Sequence, residues 1–177
     1  AVCELKRYVA DADLASPDAY VPECRPSSGK RVAILGAGPT GLAAAYYLEQ
    51  DGHACVVFEQ SSQPGGRLRS ETSEAELPRS VLDSEIQQIL RLGVELRANC
   101  RIEGREMLDE LCRTFDAVLL ACGAVPPEQW TAWGLKSSRR GLAVDRETFQ
   151  TERPGLFAAG SAMRGKSMVV RSAADGK

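Results

Sequence analysis

Gly36, Gly38 and Gly41, in the string Gly36-Ala-Gly-Pro-Thr-Gly41, have the spacing of a turn that brings backbone amides to an anion. Further along, Glu59 supplies a carboxylate suited to paired hydroxyls. Gly36 permits a tight turn out of a strand, Gly38 removes the side chain where backbone must approach a pyrophosphate, and Gly41 lets a helix pack closely on a sheet. A helix opening at Pro39 points its unpaired N–H groups and positive dipole end at the phosphates, which stabilises an anion without a basic side chain. Glu59 at the end of a second strand accepts both hydroxyls of an adenosine ribose and repels a 2′-phosphate. The chemistry implied is binding of FAD or NAD(H) rather than NADP(H).

The flanking residues supply the elements that must position these groups. Val32 to Leu35 are four apolar residues, as a buried parallel strand requires, and Leu42, Ala43, Ala45, Tyr46 and Leu48 or Tyr47 form a helical apolar stripe. Asp51-Gly52 ends that helix, Cys55 to Phe58 gives a second strand, and Glu59 follows Gly36 at close to the expected spacing of about 20 residues.

The 177 residues suffice for one well-filled core, with room for one nucleotide site but not for two full dinucleotide-binding domains. With 22 basic and 24 acidic residues and no long run of like charge, a nucleic-acid partner is not expected. No apolar stretch approaches the ~20 residues that span a bilayer, and Glu4, Lys6, Arg7 and Asp11 do not resemble a signal peptide. A soluble, cytoplasmic protein without a membrane partner is the expectation.

The cysteines, Cys3, Cys24, Cys55, Cys100, Cys112 and Cys122, form neither a C-x-x-C pair nor a metal-like cluster, so no metal site is expected. Cys55 and Cys122 read as small core hydrophobes in strands. Cys3 and Cys24 lie in a polar segment and stay open between plain thiols and ligands to an iron–sulfur cluster held mostly elsewhere. His53, in the turn before the second strand, reads as an exposed loop residue.

Residues 1–15 read as a short amphipathic helix carrying Val2, Leu5, Val9 and Leu14, and 16–29, with three prolines, as a linker to a domain over 30–177. After Glu59 the segment from Gln60 to Leu68 is a glycine loop, and a polar stretch without period runs to Glu76. Leu77-Pro78 starts a helix with Val81, Leu82, Ile86, Ile89, Leu90 and Leu92 at helical spacing, which Gly93 stops. Short strands are expected at Val94–Arg97 and near Ile102, a helix over 105–114, and a buried strand from Asp116 into a turn at Gly123. Pro126-Pro127 breaks the pattern, and Trp130 and Trp133 beside it read as packing at a domain junction rather than a cofactor stack. Arg139-Arg140 reads as a solvated turn. Leu142–Val144 and Leu156–Ala159 read as strands, the second running into Gly160-Ser161, and a helix is expected over 165–174, its amino end at the carboxyl edge of the sheet.

These residues resemble a known family, the FAD-binding part of the glutamate synthase small (beta) subunit and its pyridine nucleotide-disulphide oxidoreductase-like relatives. The likeness runs from Cys3-Glu-Leu-Lys-Arg-Tyr-Val-Ala-Asp11 through Gly36–Gly41, Glu59, Pro64-Gly-Gly-Arg-Leu68, Leu77-Pro78, Leu92-Gly-Val94, Asp116–Ala124 and Pro154–Ser161 to Arg164-Gly165. It implies an α/β, Rossmann-like FAD-binding fold, a parallel sheet flanked by helices with a short helical extension at the amino end. It further implies that Gly36, Gly38, Pro39, Thr40 and Gly41 bind the FAD pyrophosphate, bordered by Gly123. Glu59, with Gln60 beside it, would bind the adenosine ribose, and Ile102 would lie against the adenine. Gly66, Arg67, Leu68, Gly160, Ser161, Met168 and Val169 would face the ribityl chain and the flavin ring. A helix amino terminus there favours negative charge on the reduced ring.

Three departures accompany the resemblance. Residues 124–140 stand where the family inserts an NAD(P)H-binding domain, and they carry no second glycine fingerprint. Ser161 replaces the family's aspartate, and Glu76 replaces its arginine. The function implied is a FAD-binding oxidoreductase module that passes electrons between flavin and an iron–sulfur or other redox partner outside the chain. A flavin-domain scaffold without a cofactor and an NAD(H)-binding domain are the alternatives.

Overall fold

The four apolar residues Val32 to Leu35 are buried along β1 (Arg31–Leu35), the central strand of the sheet. The computed structural model describes residues 2–165 and 168–177. Before β1 lies α1 (Val2–Ala15), and after it come α2 (Pro39–Gln50) and β2 (Ala54–Phe58). Next are α3 (Arg67–Glu71), α4 (Arg79–Leu90), β3 (Glu95–Arg97), α5 (Gly104–Thr114) and β4 (Ala117–Leu120). The remainder holds α6 (Pro127–Ala132), β5 (Ser137–Ser138) and β6 (Gly141–Leu142), then β7 (Leu156–Ala158), α7 (Ser161–Arg164) and α8 (Val169–Gly176).

The main sheet has the order β3-β2-β1-β4-β7, with every neighbouring pair parallel. Successive residues of β1 feed opposite faces. Ala33 and Leu35 join Leu108, Leu111, Trp130 and Leu156 on one side, while Val32 and Ile34 join Leu42, Ala45, Leu82 and Ile86 on the other. Helices therefore cover both faces, which is why these strands read as continuous apolar runs. The expected Rossmann-like α/β fold with an amino-terminal helix is what the chain forms.

Several local expectations are corrected. Around Ile102 there is no strand. Asn99 takes φ 53°, which breaks the extended path, and the amides of Asn99 and Cys100 donate to the Ser61 and Glu59 carbonyls of the loop after β2. The polar stretch after Gly66 contains α3, and Pro127 opens α6 at its first position instead of only breaking the chain. Trp130 and Trp133 pack edge to face in the core of the domain itself, with ring centroids 5.6 Å apart. The Leu142–Val144 strand shrinks to β6, paired antiparallel with β5 around a turn at Arg139-Arg140. The helix expected over 165–174 is α8, preceded by α7, and its members Lys166 and Ser167 lie outside the described residues.

No residue of α1 is buried, and Val2, Leu5, Tyr8 and Val9 are exposed. The stretch 16–29 carries no helix or strand, yet its end runs along the body of the fold. Arg25 N–H donates to Gln50 O (2.8 Å) and Ser28 N–H to Gly52 O (2.9 Å). His53 is half-buried there, with Nδ1 2.7 Å from Ser28 Oγ.

Candidate functional site

The chain runs from β1 to β2 and β3 on one side and returns on the other side as β4, so the carboxyl ends of β1 and β4 part. This is the switch point at which open parallel sheets bind ligands. A cleft of about 750 Å³ opens there. Each fingerprint glycine meets a distinct demand. Gly36 leaves β1 at φ 106°, and a β-carbon on it would stand 2.6 Å from Ala121 O. On Gly41 it would stand 1.9 Å from Gly36 O, so α2 approaches β1 as closely as backbone allows. At Gly38, φ is −83° and such a carbon would meet no atom within 4 Å, because the position faces the open cleft. The first amide bond of α2 runs from Leu42 to the Gly38 carbonyl, so the Thr40 and Gly41 amides precede it at the mouth of the helix.

Glu59 is only 6% exposed and braces this turn. Its Oε2 accepts from Ala37 N–H at 2.9 Å and its Oε1 from Ser61 N–H at 2.8 Å. A carboxylate accepts about four hydrogen bonds, so each oxygen keeps capacity for a ligand hydroxyl. The loop after Ser61 folds back over the turn. Gly65 N–H donates to Ala37 O (2.8 Å), and a β-carbon on Gly66 would come within 3.0 Å of Gly38 Cα. Arg67 follows, its Nε donating to Glu71 Oε1 at 2.6 Å, and both side chains line the cleft.

The last wall comes from the end of the chain. Gly160, at φ 63°, lies against Thr40, where a β-carbon would approach Oγ1 to 2.2 Å, and buried Ser161 opens α7 into the cleft. Arg164 donates from Nε and Nη2 to the two carboxylate oxygens of Asp175 (2.9 and 3.0 Å), tying α7 to α8. Met168 and Val169, at the start of α8, line the cleft.

Of the residues singled out in the sequence, Gly36, Gly38, Pro39, Thr40, Glu59, Gln60, Gly66, Arg67, Leu68, Ile102, Gly123, Ser161, Met168 and Val169 line this one cleft. Gly41 and Gly160 do not line it. Their contribution is steric, letting α2 meet β1 and the final turn meet Thr40. Cys122, Arg101, Thr72, Trp133 and Ser172 also line it and were not singled out as cleft residues. Cys122 directly precedes Gly123, the one available hint. Desolvation pushes its thiol up to about 12, which lowers its nucleophilicity at neutral pH.

A cleft of this kind at the switch point of a Rossmann-like sheet belongs to the class of dinucleotide-binding oxidoreductase domains. The chain is a member of the pyridine nucleotide-disulphide oxidoreductase family, whose pattern matches residues 1–176. It is 34% identical to the NADP(+)-dependent formate dehydrogenase subunit beta of Moorella thermoacetica, over 88% of this chain and 24% of that protein. It is 37% identical to the NAD-dependent dihydropyrimidine dehydrogenase subunit PreT of Salmonella typhimurium, over 69% of this chain and 29% of that one. Identity to the glutamate synthase [NADPH] small chain of Bacillus subtilis is 34%, over 71% and 25%. The chain thus spans about a quarter of the length of these relatives. Lactococcus lactis thioredoxin reductase shares the fold at 14% identity and TM-score 0.55, over 83% of this chain and 95% of that one. Among the described residues, no helix is long and apolar enough to cross a membrane.

Proposed function

We propose that the chain is a FAD-binding electron-transfer module whose flavin exchanges electrons with an iron–sulfur or other redox partner outside the chain. The observation that carries this reading is the gathering of residues from Gly36 to Val169 around one cleft at the switch point. The cleft fits the group. Backbone at Gly38 is free of any obstructing side chain, the amino end of α2 suits a pyrophosphate, and Glu59 retains acceptor capacity for ribose hydroxyls.

In this reading Glu59 and Gln60 hold the adenosine ribose with Ile102 against the adenine, and Gly36 to Thr40 with Gly123 hold the pyrophosphate. Gly66, Arg67, Leu68, Ser161, Met168 and Val169 face the ribityl chain and ring. FAD supplies the redox chemistry, and the protein supplies position and potential. Residues 30–177 form the flavin domain, 1–29 its extension, and 124–140 stand in place of an inserted NAD(P)H domain, so the hydride donor is bound by other residues than these. Free cysteines throughout suit the reducing cytoplasm, where we place the module. The test is the visible absorption spectrum of the purified chain, with chromatography of what denaturation releases. Flavin bands and released FAD are expected. A colourless chain that binds NADH but not FAD identifies an NAD(H) domain, and one that binds neither identifies a scaffold.

A further inference from the structure

A second cavity, of about 350 Å³, shares Trp133 among its lining residues with the cofactor cleft. One rim is α5, which presents Arg105, Asp109 and Arg113 one turn apart on a single face. The opposite rim is Glu152-Arg153, ahead of β7. Three guanidinium groups therefore face two carboxylates, and neither carboxylate is spare. Asp109 is taken by Arg153, with Arg105 Nε at 3.6 Å, and Glu152 by Lys136 from outside the cavity. The hydrogen bond from Arg153, reinforced by the charges of Arg105 and Arg113, holds the Asp109 carboxyl below its usual range. Positive charge remains in excess around a concave space.

The floor is different in kind. Trp133 and Leu135 are buried and apolar, and Gly134, at φ 73°, adds no side chain to a place where a β-carbon would stand 3.4 Å from Arg105 Cδ. A salt bridge that merely tied α5 to the approach of β7 would need one arginine and one aspartate. Arg105 and Arg113 are superfluous to that purpose, being largely exposed and adding to a charge already balanced. Guanidinium forks around a concave space match the oxygens of a doubly charged phosphate, and an apolar floor suits an organic group attached to it.

We propose that this cavity binds a phosphate group, free or as a phosphomonoester, at a site separate from the cofactor cleft and sharing its Trp133 wall.

The test is a titration of the full chain with inorganic phosphate at constant ionic strength, followed by amide and indole NMR shifts. Saturable shifts at Trp133, Gly134, Leu135 and Arg153 are expected. The double variant Arg105→Ala, Arg113→Gln should keep its melting temperature, since both side chains are exposed, and should bind about tenfold more weakly or worse. Arg113→Gln alone serves if the double variant folds poorly. Glycerol phosphate, titrated alongside, separates the sources. Tighter binding than phosphate identifies an ester, equal binding identifies free phosphate, and either supports the site. Shifts that never saturate, that fall only on Gly36 to Thr40, or that persist undiminished in the variants overturn it.

Discussion

Gly41 packs against Gly36 so closely that a β-carbon on Gly41 would overlap the Gly36 carbonyl oxygen at 1.9 Å, whereas one on Gly38 would touch nothing within 4 Å. Two glycines of one fingerprint therefore answer to different constraints, one to the packing of the fold and one to the open cleft. Gly41→Ala should lower stability by about 2–3 kcal/mol, because α2 must move off β1. Gly38→Ala should cost less than about 1 kcal/mol, as its φ is ordinary, and should weaken FAD binding at least about tenfold. Denaturant unfolding and FAD titration of both variants check this pair.

Glu59→Gln should weaken both fold and site. Glutamine offers one acceptor where the Ala37 and Ser61 amides use two, and its NH2 would face an N–H. A loss of about 1–3 kcal/mol in unfolding free energy is expected, together with weaker FAD binding.

The β1–α2–β2 unit was legible almost to the residue because each of its constraints is local. An apolar run, a proline at a helix start, an Asp-Gly stop and an acidic residue at fixed spacing all lie in the string. What was missed depends on distant partners. The five residues of α3 are too few to show a helical period, and the hydrogen bonds that draw Asn99 and Cys100 to Ser61 and Glu59 join residues far apart in the chain, beyond any local cue. Trp130 and Trp133 suggested a junction because Pro126-Pro127 looked like a boundary, yet α6 packs on α5 and fills the core. Most of the residues the resemblance named line one cleft, but steric roles such as that of Gly160 against Thr40 need coordinates.

Acid should act through Asp116. Its carboxylate accepts from Arg31 N–H and from Lys30 Nζ, each at 2.9 Å, and these bonds, the backbone one foremost, hold its pKa below the ordinary value of 3.8. A depressed folded pKa gives stability that is present above the unfolded value and lost as pH falls through the folded one. Asp116→Asn should therefore melt below the native chain at neutral pH, and the gap should close as pH drops beneath 3.8. A gap independent of pH contradicts this assignment.

Thiol labelling should divide the cysteines. Cys3 and Cys24 are exposed, while burial pushes the Cys55 and Cys122 thiols up to about 12. At neutral pH a thiolate-selective reagent should modify Cys3 and Cys24 quickly and Cys55 only after denaturation, with half-buried Cys122, on the open cleft, reacting between them, as peptide mapping will show.

FAD binding in this cleft is what the proposed function requires. Equilibrium titration of the cofactor-stripped chain with FAD, and in parallel with NADH, tests it most directly. Saturable binding of FAD, weaker binding of NADH, and loss of FAD affinity in Gly38→Ala with the fold intact are expected. Failure to take up FAD, or FAD uptake that Gly38→Ala leaves unchanged, would contradict it.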